Sequence, residues 1–214
     1  MNDIGILPNY RGIAVHDCWA SYWKYEDATH ATCGAHLLRE LTGVEENHPP
    51  QRWAPEFKSL LLEMKEAKEK AIESHQIELR ADQLKEFNER YDNLIATGYK
   101  ENPYPIPAKK KRGRPKKGKV LALIERLEKH KAPVTLFIHD FNVPFDNNQA
   151  ERDIRMIKTK TKVSGCFRSE AGASNYLDIM SYIGTAKKHG INPYEAIRKA
   201  IQGMPEFIFE SQQS

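Results

Sequence analysis

The chain has 214 residues, 40% of them hydrophobic and 29% charged, enough for one well-buried core with a smaller helical appendage beside it. No run of roughly 18 uninterrupted apolar residues occurs, and Met1-Asn2-Asp3-Ile4 lacks the basic and apolar regions of a secretory signal, so the expectation is a cytoplasmic protein with no membrane partner. The three cysteines, Cys18, Cys33 and Cys166, have no regular spacing, which argues against a disulfide framework and for a reducing compartment.

The net charge of +4 hides an uneven distribution. Ala108 to Lys119 (AKKKRGRPKKGK) holds eight of the 33 Lys and Arg and no acid; taking eight from 33 leaves 25 basic residues against 29 acidic ones, a net of −4. Charge gathered this way suits a polyanion, most simply nucleic acid, although a solvated basic linker has the same composition.

In chain order, Gly12 to His16 is a short β-branched apolar run that stops at Asp17, as a buried strand ending at a site would. The aromatics Trp19, Tyr22, Trp23 and Tyr25 follow and are expected in the core. His30 to Cys33 reads as a second short strand, and Ala35 to Leu41 as a helix with Gly43 at its C-cap. Phe57, Leu60, Leu61 and Met64 recur at helical spacing, as do Leu84, Phe87, Tyr91 and Leu94 beyond a break near Arg80, so the stretch from Pro55 to about Ala96 predicts an antiparallel helical pair ended by Gly98.

Three prolines between Asn102 and Pro107 mark an extended linker up to Gly118. Val120, Leu123, Ile124 and Leu127 resume a helical stripe. Pro133 to Ile138 fits strand or helix, and Pro at a first turn favours helix. Asp146-Asn147-Asn148 is an N-cap cluster for a helix running to about Thr161 and closed by Gly165. Helices from about Ala171 to His189 and from Pro193 to Gln202 precede Gly190 and Gly203, and a polar tail follows.

Asp17 at a strand end and Glu151 in a first helical turn are 134 positions apart. Such carboxylates are the hard, anionic ligands that suit Mg²⁺, and a helix N-terminus favours an ionised Glu. On spacing alone a simpler account serves equally: Glu151 pairs with Arg155 at i, i+4 and Asp17 caps the next turn. The wording around Glu151 separates the two. Val143-Pro144-Phe145-Asp146-Asn147-Asn148-Gln149-Ala150-Glu151-Arg152-Asp153-Ile154-Arg155 resembles the C-terminal catalytic motif of the IS sixty-six family of insertion-sequence transposases. Met156-Ile157-Lys158, Ser164-Gly165-Cys166-Phe167-Arg168-Ser169, Cys33 to Leu41 (CGAHLLREL), His16-Asp17 and Lys111 to Pro115 fit the same family, a likeness running from about Tyr10 to Gly203.

The resemblance implies a DDE enzyme of DNA transposition and recombination with a ribonuclease H-like fold. There an Asp on the first strand, an Asp after the fourth and a Glu on a late helix bind two Mg²⁺ or Mn²⁺ ions. By this likeness Asp17 and Glu151 are the second and third acids, both magnesium ligands, and no counterpart of the first is present. The expected fold is therefore helix-rich α/β (α+β), an incomplete ribonuclease H-like core without its first strands. Residues 1–49 hold that partial core, 50–130 a helical insertion with the basic linker 108–119, 131–205 the helical remainder and 206–214 a tail. The activity implied is two-metal phosphodiester hydrolysis and strand transfer at transposon ends, expected to fail in this chain alone. A truncated DNA-binding or regulatory protein derived from a transposase is the alternative.

The expected partner is DNA, together with a second copy or the N-terminal transposase segment, at the bacterial nucleoid. Candidate DNA contacts are Lys109, Lys110, Lys111, Arg112, Arg114, Lys116 and Lys117 in the tract, and Arg152, Arg155, Lys158, Lys160, Lys162 and Arg168 on or beyond the Glu151 helix. Arg112-Gly113-Arg114-Pro115 also looks like the core of an AT-hook, which lies in a narrow minor groove. Cys33 and His36 resemble half of a zinc site, for which Cys18, His30 or Cys166 would have to complete the set; no second closely spaced pair occurs, and packing with a local hydrogen bond is the plainer role.

Overall fold

A computed structural model of the chain describes residues 7–104 and 118–205. It contains strands β1 (Ile13–His16) and β2 (Thr29–Thr32) and helices α1 (Gly34–Asn47), α2 (Trp53–Glu73), α3 (Ala81–Glu101), α4 (Lys119–Lys129), α5 (Lys131–His139), α6 (Asn148–Ser164), α7 (Glu170–Lys188) and α8 (Pro193–Ile201). The fold is thus helix-rich α+β. Two compact units are present, Met1–Asn147 and Asn148–Ser214.

In the first unit β1 and β2 pair in parallel, with Ile13 opposite Thr29 and His16 opposite Thr32. The carbonyls of Gly12 and His16 accept from the Thr29 and Cys33 amides. By the period of two, Ile13 and Val15 therefore turn their backbone groups to the other edge. No strand among the described residues pairs with that edge. Side chains serve it instead: the Tyr10 hydroxyl donates to the Ile13 carbonyl at 3.1 Å and Asn147 Nδ2 to the Val15 carbonyl at 3.2 Å.

The core is built on α2, whose Trp53, Phe57, Leu60, Leu61 and Met64 are all buried on one face. Trp53 lies beside Gly98, Phe57 against the Tyr91 ring and Glu63 against Arg90, so α3 runs antiparallel to α2, as the periodicity predicts. Gly98 is needed for this close approach rather than for ending α3: a Cβ there would stand 3.2 Å from Ile124 and 3.3 Å from Trp53, and the helix continues to Glu101. Tyr91 donates its hydroxyl to the Leu127 carbonyl at 2.8 Å, tying α3 to α4.

Two further expectations need correction. Gly43 does not cap α1, which continues to Asn47 because Leu41 and Val44 bury on either side of it; packing of that face outweighs the roughly 1 kcal/mol helix penalty of glycine. Trp19 is not core but 57% exposed, and Tyr22 and Trp23 are only half-buried. The segment from Pro133 to Ile138 is helical, as favoured.

In the second unit α6 ends where Gly165 turns left-handed (φ 77) and α7 where Gly190 does (φ 72), both as expected. Ser169 caps α7 by accepting the Gly172 amide, and Asn192 caps α8 by accepting the Tyr194 amide. Tyr182 donates its hydroxyl to the Ala196 carbonyl at 3.2 Å and joins α7 to α8. No helix of the described residues is long and apolar enough to cross a membrane.

Candidate active site

Asp17 stands at the carboxyl end of β1, the end of a parallel strand where α/β sheets place their functional groups. Its side chain is exposed and Oδ1 accepts the Trp19 amide at 3.0 Å. Between them Cys18 has φ 65, a left-handed conformation that costs a non-glycine residue about 1–2 kcal/mol. The amide of Cys18 donates to His16 Nδ1 at 3.1 Å, which helps hold the turn in that strained form. Burial pushes the Cys18 thiol up to about 11, so it is a poor nucleophile.

That same amide fixes the chemistry of a histidine pair. Since His16 Nδ1 accepts from Cys18, its Nε2 carries the proton and donates to His30 Nδ1 at 3.0 Å. His30 Nε2 then donates to the Tyr25 carbonyl at 3.1 Å. The pair ties the end of β1, just before Asp17, to β2. Burial, reinforced by neighbouring His30 and His130 and only partly offset by Asp17, holds the His16 pKa down at about 4.

A pH dependence follows. Below about pH 6.5 the unfolded chain takes up a proton at His16 that the folded chain refuses until about pH 4. Folding stability should therefore fall between these values, by up to about 3 kcal/mol from this group at roughly 1.4 kcal/mol per pH unit, and no further below them. Burial lowers the pKa of His130 as well, so it acts with the same sign. Urea unfolding at pH 7 and pH 4.5 should show a smaller loss for His16→Asn, whose amide oxygen still accepts from Cys18. An equal loss in the variant would place the acid sensitivity elsewhere.

The segment 140–147, which leads into α6, is fastened at several points. Lys68, on the buried stripe of α2, donates to the Val143 carbonyl at 2.6 Å and lies 5.7 Å from the centre of the Phe141 ring. Its burial lowers its pKa, with Asp140 opposing. The Gly34 amide donates to the Phe145 carbonyl at 2.7 Å, and a Cβ on Gly34 would stand 2.4 Å from the Phe145 ring, so only glycine fits at the start of α1. The Asn147 amide donates to Cys33 Sγ at 3.3 Å while its side chain reaches Val15. None of these contacts was anticipated from sequence.

Glu151 lies in the first turn of α6, as predicted, and is half-buried. Beyond it Arg152, Arg155, Lys158, Lys162 and Arg168 are exposed. Lys160 differs: its ammonium sits over Tyr176 at 4.3 Å and Phe167 at 5.1 Å, which commits it to packing. Lys188 pairs with Asp153 at 2.6 Å and links α7 to α6. The tract residues Lys109, Lys110, Lys111, Arg112, Arg114, Lys116 and Lys117 lie outside the described residues.

Among the described residues no three His, Cys, Asp or Glu side chains converge to hold a metal ion. Cys33 is buried, with its sulfur occupied by the Asn147 amide, and His36 is half-buried on the first turn of α1. As donors, the Asp17 and Glu151 carboxylates suit a hard divalent cation.

The first unit thus carries a parallel strand pair with an acid at its carboxyl end, and the second unit carries an acid in the first turn of α6 followed by exposed cations. The family model described as Transposase IS66 family matches residues 4–175, and the chain belongs to that family of transposases. No curated protein and no solved structure matches the chain.

Proposed function

We propose that this chain supplies the second and third metal-binding carboxylates of a DDE transposase, Asp17 and Glu151, within a ribonuclease H-like catalytic core interrupted by the helical insertion 50–130. The observation that carries the reading is Asp17 itself, an exposed carboxylate at the carboxyl end of a parallel strand, locked by a strained turn in a chain of this family. Two bound Mg²⁺ or Mn²⁺ ions would activate first water and then a 3′-hydroxyl for attack on phosphorus. The protein's own part is to orient the two acids and neutralise the DNA backbone. Asp17 Oδ1 is oriented by the Trp19 amide. Glu151 gains from the positive end of the α6 dipole. Exposed Arg152, Arg155, Lys158, Lys162 and Arg168 meet phosphates together with the basic tract.

The first acid comes, in this reading, from a strand that adds to the open edge of β1, where Tyr10 and Asn147 now reach the Ile13 and Val15 carbonyls. That strand belongs to a preceding transposase segment or to another subunit, and the assembly works on DNA in the cytoplasm. The test replaces Mg²⁺ with Fe²⁺ in the presence of ascorbate and peroxide, so that radicals cut the backbone beside the bound ion. Cuts near both position 17 and position 151, suppressed by excess Mg²⁺ and by Asp17→Asn, are expected. A cut at only one of these positions would separate the two acids and end the proposal.

A further inference from the structure

Trp19 is the most exposed of the three tryptophans: Trp53 is fully buried and Trp23 half-buried. The Trp19 indole is 57% exposed, a large aromatic face open to a partner. Yet its position is well determined. The left-handed Cys18 turns the chain sharply after Asp17, and the Trp19 amide is held by Asp17 Oδ1 at 3.0 Å. Its ring meets Tyr22 edge-on (centroids 6.1 Å, 76°), and Tyr22 in turn stacks on buried His16 (4.7 Å, 23°). A supported ring with exposed surface thus stands two residues from the carboxylate, at most about 7 Å along the chain.

We propose that Trp19 is a stacking platform for an unpaired base of the strand being cut, next to Asp17. The inference rests on the reading of Asp17 as an acid of a DNA-cutting site and goes beyond it by naming what grips the substrate there. A base inside a duplex has no free face, whereas one at a nick or strand end can swing onto an aromatic ring. The neighbouring Asp17 carboxylate repels phosphate, so an uncharged aromatic surface is the group suited to hold the nucleotide without drawing the backbone onto the acid. Backbone strain concentrated at Cys18 serves to present both side chains on the same turn.

The experiment titrates the full chain with a short oligothymidine strand and with a fully paired duplex, following tryptophan fluorescence and, separately, affinity. Single-strand binding should quench emission, with the quench lost in Trp19→Ala and retained in Trp23→Phe. Trp19→Ala should weaken single-strand affinity by about fivefold or more, leave duplex affinity nearly unchanged, and be largely rescued in Trp19→Phe. Unchanged single-strand affinity in Trp19→Ala, with duplex binding intact, overturns this inference alone. Concentration-dependent self-association abolished by Trp19→Ala, without effect on single-strand affinity, also overturns it and makes Trp19 a protein contact. Absence of any DNA binding by the wild-type chain overturns the site reading and this inference with it.

Discussion

Replacing the eight basic residues from Lys109 to Lys119 with Gln should cut the affinity of the chain for duplex DNA by on the order of 10²- to 10³-fold at moderate salt and flatten its salt dependence. Each phosphate neutralised by a Lys or Arg releases condensed counterions and contributes about 0.9 to the slope of log affinity against log salt. If all eight contact phosphate, the slope falls by about 7; a partial set of contacts gives a proportionate loss. The rest of the chain carries a net negative charge, so it cannot substitute as a whole for the tract. Only the exposed cations on and beyond α6 remain, and Lys160, packed on Tyr176 and Phe167, is not among the free ones. Filter binding or anisotropy across a salt series measures both quantities. An unchanged slope would move DNA binding to the Arg152 to Arg168 region.

The helices were legible because their signals are local. Apolar residues at helical spacing marked α2, α3 and α4, and Gly165 and Gly190 stopped their helices through the left-handed backbone they adopt. Boundaries failed where packing overrides propensity: Gly43 is carried through α1 by Leu41 and Val44, and Gly98 sits inside α3 where Trp53 and Ile124 pack closely against its backbone. Both depend on contacts distant in sequence. The aromatic run after Asp17 misled for a different reason. Composition alone cannot distinguish an indole that fills the core, as Trp53 does, from one that a strained Cys18 turns outward, as happens to Trp19.

At the site, the identities of Asp17 and Glu151 came from resemblance and not from spacing, since acids at strand ends and in first turns are common in any fold. Their supports were invisible for a physical reason. The His16–His30 bond requires the register of β1 on β2, and the Lys68–Val143 bond joins positions 75 residues apart. Asn147 illustrates the same limit: it stands just before α6, where the N-cap cluster was read, and its side-chain Nδ2 also reaches the Val15 carbonyl while its backbone amide donates to Cys33 Sγ.

The central claim, that Asp17 and Glu151 belong to a two-metal site needing one more acid, is tested most directly by metal-dependent strand cleavage of transposon-end DNA. In the proposed reading Asp17 and Glu151 would hold metal together with a third acid, and the ions would supply an activated nucleophile for phosphodiester cleavage. The chain alone should therefore release no cleaved strand even in excess Mn²⁺. Adding the preceding transposase segment should restore cleavage, and Asp17→Asn or Glu151→Gln should each reduce the restored rate on the order of 10³-fold or more while far-ultraviolet circular dichroism stays unchanged. Cleavage by the chain alone that survives both substitutions would contradict the account and move the active site to other acids, such as Asp140 or Asp146.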